Sequence, residues 1–468
     1  MDDYKFLKIE DAIACINQKV NLIGAILDFS VPQKTKGTDY FCKLKIIDES
    51  HPKCGIPVHL FAQHMDALPQ VASIGDIIHL SRVMMKTHEG DVYAIFNKRF
   101  SSFALYEGKN GEGFHPYQVS LRFHAREQDQ KLIADLRKWL ADSKVIDVPI
   151  NFILLREINE VDTINIACKV LHICEIAKDE WMVFLWDGTD APPLSIHRKL
   201  EDEMHNQLPL HLEPLPLSRD VLCTFPTVGT ILRVTIDENC RKYILQLLKI
   251  GQWVKLFNVP CEVREGLWYG VLTPSTKIQD MPNEDTLISE RQSNYDHRLS
   301  CKLERMPYWS FPWPSRITEV SCDDVPFATL MDVLTCRKVV VMVEVDSNWQ
   351  WVRKKFRCVV RFVAAIPWQV EDFCSPRGTY RVRFTVEDPT ARIHAFAYAE
   401  DGEKFFNGYL SVDVLSSKLN KLLGVAISAD GKEIKDAARN PPWVQCCLIS
   451  HYLKCCKICD TKLVGQQV

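Results

Sequence analysis

The stretch Lys43-Leu44-Lys45-Ile46-Ile47-Asp48-Glu49, with Val58-His59-Leu60-Phe61 behind it, decides the fold. Apolar and polar residues alternate with period two, the pattern of a strand with one face on a core. The run stops at an acidic turn, and a second strand follows. The same form returns at Trp181-Met182-Val183-Phe184-Leu185-Trp186-Asp187-Gly188-Thr189, followed by Leu194-Ser195-Ile196-His197. It returns again at Tyr380-Arg381-Val382-Arg383-Phe384-Thr385-Val386-Glu387-Asp388, followed by Ile393-His394-Ala395-Phe396. A generic β-meander produces such a unit by chance. Three separate copies make the sharper reading one small barrel around each.

Around the first copy, strands are expected at Val20–Asp28, Phe41–Asp48, Val58–Phe61, Asp76–Met84 and Val92–Tyr106, with room for a short helix in Gln63–Pro69. Five short strands with a small helix before the fourth is the layout of an OB barrel. This first region spans 1–108 and ends at the linker Gly108-Lys109-Asn110-Gly111-Glu112-Gly113. Beyond it, Leu132, Ile133, Leu136, Trp139 and Leu140 share one helical face. That helix is expected to lead a second barrel, 114–278, with strands at Asn165–Ile176, Trp181–Trp186, Gly229–Thr235, Tyr243–Leu248 and Trp253–Val259. Residues 279–316 read as an exposed polar connection. The third barrel, 317–468, draws strands from Lys338–Val345, Phe356–Ala364, Tyr380–Val386 and Arg392–Tyr398, a helix at Ser411–Leu423 and a closing strand in Trp443–Leu453. The fold class is therefore mainly β with short helices, as three tandem OB-fold barrels.

The 468 residues carry 57 Lys and Arg against 60 Asp and Glu, a formal charge of -3, so a nucleic-acid surface has to be a local groove. No run reaches the roughly 18 apolar residues of a membrane span. The opening Met1-Asp2-Asp3-Tyr4-Lys5 lacks the apolar segment of a secretion signal. Eighteen cysteines are scattered along the chain, most of them singly and many in apolar runs, which fits a reducing compartment. Nucleotide-binding glycine loops and metalloprotease or hydrolase signatures are missing, so catalysis is not expected.

An OB barrel takes its oligonucleotide on strands two and three, between the loops joining strands one to two and four to five. In the first barrel the former loop is Pro32-Gln33-Lys34-Thr35-Lys36-Gly37-Thr38-Asp39-Tyr40. Lys34 and Lys36 can meet phosphates, Gly37 lets the backbone approach a base, and Asp39 can accept from a base amino group. Phe61 can offer a ring for stacking. The alternative is a solvated turn and a core phenylalanine. His59, His197 and His394 sit in alternating strands and read as ordinary sheet residues. At the C-terminus, Cys456 and Cys459 form a CxxC, with Cys446, Cys447, Cys455 and His451 nearby. Adjacent Cys446 and Cys447 point to opposite faces of a strand, so a disordered cysteine-rich tail is preferred to a zinc site. No metal or cofactor is expected.

Lys36-Gly37-Thr38-Asp39-Tyr40, Ile46-Ile47-Asp48, Leu60-Phe61, Ala67-Leu68-Pro69, Gly75-Asp76-Ile77-Ile78, Arg82-Val83-Met84-Met85-Lys86 and Phe103-Ala104-Leu105-Tyr106-Glu107-Gly108 follow in order. This series resembles the protection-of-telomeres family, which binds the single-stranded telomeric overhang. Leu136-Arg137-Lys138-Trp139, Trp186-Asp187-Gly188-Thr189 and Leu248-Lys249-Ile250-Gly251 extend the likeness, and weaker matches at Ala399-Glu400-Asp401, Lys404-Phe405-Phe406 and Pro442-Trp443-Val444 carry it to the end. Length and an uninterrupted third region look like the plant branch.

The resemblance implies two N-terminal barrels for DNA and a C-terminal barrel for protein partners at the telomere or telomerase. Animal members insert a nuclease-like domain and a four-cysteine zinc site, and neither is carried over. Lys36, Gly37, Thr38 and Asp39 would line the DNA groove, Phe61 would stack, and Arg82 would contact the strand. His88 stands where animal members stack a tyrosine. In the second barrel, Thr163 replaces an expected aromatic, and Asp237-Glu238 lies near another, where acids repel phosphate. The implied function is a nuclear, telomeric binder of single-stranded G-rich DNA that protects chromosome ends and regulates telomerase access, with no membrane and no small-molecule substrate. The alternative is a telomerase-associated interaction protein with weak or lost DNA binding.

Overall fold

The computed structural model describes residues 5–109, 111, 113–143, 151–159, 163–194, 212, 217–264, 266–280, 286–299, 317–322, 324–336, 340–345, 348–428, 433–434, 437–450 and 456–464. Three five-stranded barrels follow one another. The first is built from β1 (Lys19–Phe29), β2 (Tyr40–Ile47), β3 (Ile56–Ala62), β4 (Ile77–His88) and β5 (Asp91–Phe96). The second uses β6 (Thr163–Ala177), β7 (Glu180–Trp186), β8 (Leu232–Ile236), β9 (Trp253–Arg264) and β10 (Leu267–Leu272). The third uses β11 (Lys355–Ile366), β12 (Arg381–Glu387), β13 (Arg392–Tyr398), β14 (Val444–Ser450) and β15 (Cys456–Cys459). In each, strand one pairs with strands two and four, and strand three runs parallel to strand five, which closes the barrel. No helix among the described residues is long and apolar enough to cross a membrane.

The thrice-repeated acidic turn has one structural cause. Asp48 Oδ2 accepts the Ile9 N–H at 2.8 Å, Asp187 Oδ2 the Leu155 N–H at 2.8 Å, and Asp388 Oδ2 the Leu330 N–H at 2.7 Å. Each acceptor satisfies an orphan donor at the start of a short helical segment that precedes its barrel. The other carboxylate oxygen clamps its own turn, accepting the N–H of Ser50, Thr189 or Thr390 at 2.8 to 2.9 Å. Ile9 and Ala12, Leu155 and Ile158, and Leu330 and Val333 are thereby buried one helical turn apart, each pair in its barrel's core.

Several expectations are corrected. The amphipathic helix α1 (Glu127–Asp142) does not lead the second barrel but packs on the first: Ile133, Leu136 and Leu140 cluster with Ala25, Ile47, Ile77, Ala104 and Tyr106. Periodicity identifies a helix's apolar face but not what covers it. Val92–Tyr106 breaks after Phe96, and Ser102–Tyr106 pairs separately with β4. Tyr243–Leu248 is helical, in the element Arg241–Leu247 that buries Tyr243 and Ile244. Lys338 lies outside the described residues, and Val340–Val345 pairs with Asn348–Arg353 in a hairpin outside the third barrel. The polar stretch 279–316 contains α2 (Thr286–Leu299), whose Ile288, Arg291 and Tyr295 are buried on the second barrel. Arg291 donates to Asp187 Oδ2 at 3.1 Å and to the Phe152 carbonyl at 2.8 Å. Gly188 permits this seat: its φ is 88°, and a Cβ there would stand 2.8 Å from the Tyr295 nitrogen.

The barrels touch. The Val31 N–H donates to Pro274 at 2.9 Å, and Lys277 pairs with Asp28 across the first junction. At the second, Arg361 and Arg392 both hold buried Glu387 while Arg361 donates to the Ala191 carbonyl at 2.8 Å. Trp443 Nε1 donates to Asp190 at 2.9 Å.

Candidate nucleic-acid interface

Period-two alternation turns Cys42, Leu44 and Ile46 of β2 and Val58, Leu60 and Ala62 of β3 into the first core. The intervening residues face outward, and the register sets Phe41 opposite Phe61 and Lys43 opposite His59. Phe41 and Phe61 lie 4.9 Å apart between ring centroids at 39°, and Phe41 meets His59 edge-on at 5.5 Å. His59 lies 4.8 Å from Tyr93 of β5. Four half-buried rings thus run in a row across three strands, and Phe61 stands outside the core. Partial burial, with Lys43 nearby, holds the His59 pKa below its ordinary value, so the ring is neutral and suited to stacking.

The loop beside this row is a narrow hairpin in which Gln33–Lys34 pairs with Tyr40–Phe41. The Thr35 N–H and hydroxyl donate to the Asp39 carbonyl at 2.9 and 2.7 Å, and the Gly37 N–H donates to Thr35 Oγ1 at 3.3 Å. Lys36, Gly37 and Thr38 are left exposed at the tip. A Cβ at Gly37 would meet only Thr35 Oγ1 at 3.7 Å, so the folded loop itself does not require glycine there. The Asp39 carboxylate pairs with Lys98 Nζ at 2.6 Å. Lys34 is exposed, and its N–H donates to Asn239 of the second barrel at 3.2 Å, so that barrel buttresses the loop.

Arg82 and His88 stand apart. Arg82 occupies a β4 bulge with φ 58°, its N–H donating to Asn21 Oδ1 at 2.9 Å and its carbonyl accepting from Ser101 Oγ at 2.8 Å. Its side chain is exposed. His88 lies at the tip of the β4–β5 hairpin with its side chain 77% exposed and Glu89 at 3.9 Å. Among the described residues no ring contact or ion pair joins either to the row. Phe41, His59, Tyr93 and Lys98 are additions to the residues read from sequence. Alternation in Ile56–Ala62 already placed His59 beside Phe61, whereas nothing local announces Lys98.

In the second barrel Thr163 is exposed at the start of β6, and Asp237 accepts the Asn239 N–H at 2.8 Å, which commits its carboxylate to the turn. The C-terminal cysteines form no disordered tail: Cys456–Cys459 is a barrel strand. Residues three apart on a strand face opposite ways. Cys456 therefore joins the barrel core, while Cys459 joins a small cluster with Cys322 and Cys447. Cys447 and Cys459 approach to 3.4 Å, and Asp460 completes a three-ligand group, but its carboxylate pairs with Lys355. Cys455 and His451 lie outside the described residues.

Known proteins resemble this chain along most of its length. Residues 1–148 match the family described as "Telomeric single stranded DNA binding POT1/CDC13", and residues 313–456 match "POT1A-like, OB fold domain". Protection of telomeres protein 1a of Arabidopsis thaliana is 40% identical, over 96% of this chain and 94% of its own length. Protein 1b of the same plant is 39% identical over the same shares. Protection of telomeres protein 1 of Homo sapiens is 23% identical over 58% of this chain and 38% of its own length.

Proposed function

The chain belongs to the protection-of-telomeres family, and from that premise we propose that its first barrel binds single-stranded, G-rich telomeric DNA. One observation carries the reading: four outward rings run across β2, β3 and β5 beside a loop that exposes Lys34 and Lys36. Bases stack on the row, with Phe61 and Phe41 as its first platform. Lys34, Lys36 and Arg82 neutralise phosphates, while Thr38 and Asp39 address base edges. His88 lies at the far hairpin, where it can stack on an extended strand. The role is non-catalytic: a bound overhang is shielded and its access to telomerase is regulated, in the nucleus at chromosome ends. The third barrel serves telomere or telomerase proteins.

Acidic Asp237 and Glu238, next to the Asn239 that buttresses the loop, favour one second reading: a telomerase-associated protein with weakened DNA binding. Titration of the full chain with G-rich telomeric, C-rich and scrambled single strands decides. Preferential binding of the G-rich strand, weakening as salt rises, is expected; equal or absent binding at low salt favours the second reading.

A further inference from the structure

We propose that the outward face of the third barrel is a second site for single-stranded nucleic acid, in a groove of about 730 Å³ between β12, β13 and the loop after β11. This goes beyond the first-barrel reading and stands without it. Arg381 lies seven residues ahead of Asp388, as Phe41 lies seven ahead of Asp48; Arg383 and Lys43 correspond in the same way. Val382 and Phe384 point into the core, which turns Arg381 and Arg383 to the other face, where Arg381 is exposed and Arg383 is half-buried with its Nε and Nη2 covered. The register sets Arg381 opposite Tyr398 and Arg383 opposite Phe396, so cations on strand two face rings on strand three. The first barrel has the same division at Lys43 and His59.

The loop between strands one and two completes the wall. It contributes Trp368, 41% exposed, to the groove that Tyr398, 52% exposed, also lines. Asp372 is the one acid among the described lining residues and can accept from a base amino group. A single strand presents flat bases and phosphates in alternation. Rings answer the former by stacking, and the exposed Arg381 guanidinium answers the latter with paired hydrogen bonds.

The test uses the full chain with two G-rich strands carrying iodouracil, one of about 6 nucleotides, within the reach of one OB barrel, and one of about 20. Tyr398→Ala is expected to weaken the long strand about tenfold and leave the short one unchanged. Arg381→Ala should lower the long strand's salt slope by about 0.7. Both side chains are exposed, so unchanged melting is expected and is checked alongside. Photocrosslinks of the long strand should map to peptides containing Trp368 and Tyr398. Crosslinks confined to the first barrel, with both variants binding like wild type, would overturn the proposal and assign the groove to a protein ligand. Crosslinks at Trp368 with none in the first barrel would sustain it and sink the first-barrel reading. No crosslink to any strand overturns both.

Discussion

Asp39 answers two demands at once: its carbonyl closes the Thr35 turn, and its carboxylate holds Lys98 at 2.6 Å. Removing the carboxylate therefore deletes a base-edge acceptor and also releases a cation toward the groove. Asp39→Ala is predicted to erode the preference for G-rich over scrambled strands while leaving general affinity intact. Lys36→Ala does the reverse, weakening all sequences alike and lowering the salt slope by about 0.7, the value for one lost phosphate contact on a single strand. Competition titrations across a salt series separate the two. At this scale the sequence supplied part of the candidate site. Lys36, Asp39 and Phe61 were legible because loop chemistry and strand parity are local. Lys98 was not, since its partner lies 59 residues away.

His79 on β4 is fully buried where α1 meets the first barrel, with Asp129 Oδ2 at 3.7 Å and the rings of Phe6 and Phe123 against it. Burial, with Arg126 adding repulsion, lowers its pKa to about 4. The unfolded chain protonates this imidazole near its ordinary value of about 6.5, so it contributes stability above that pH. The contribution fades as pH falls from about 6.5 toward 4. Burial raises the Asp129 pKa, and that shift works in the opposite direction as pH falls. Urea unfolding of wild type should lose about 2 kcal/mol between pH 6.5 and 4.5, and His79→Gln should flatten that dependence. The three barrels were legible because each repeats the aspartate that caps its lead helix. Helix α2 was not: buried Arg291 sits in its Ile288–Tyr295 stripe and hides the amphipathic signal.

Across the whole molecule, the junction of the second and third barrels rests on a buried charge cluster. Burial alone would raise the Glu387 carboxyl, but the Arg361 and Arg392 guanidiniums outweigh it and hold the pKa at about 2. A depressed carboxylate stabilises fully above its unfolded value of about 4.5, and that stability is lost only as pH falls toward 2. Glu387→Ala leaves two arginines facing each other without their acid, and is predicted to cost roughly 3–5 kcal/mol. Calorimetry should show the loss in the transition of the third barrel. No sequence pattern foretold this junction, because its partners come from chain segments far apart.

The central claim is that the first barrel reads DNA on an outward row of rings. Its most direct test is Phe61→Ala, with affinity for the G-rich strand and melting temperature measured on the same preparation. Phe61 lies tilted against Phe41 outside the core, so the account predicts a ten- to a hundredfold loss of affinity, about 1–3 kcal/mol, with unchanged melting. Unchanged affinity, or a melt lowered by the roughly 3–5 kcal/mol of a truncated core phenylalanine, would contradict it.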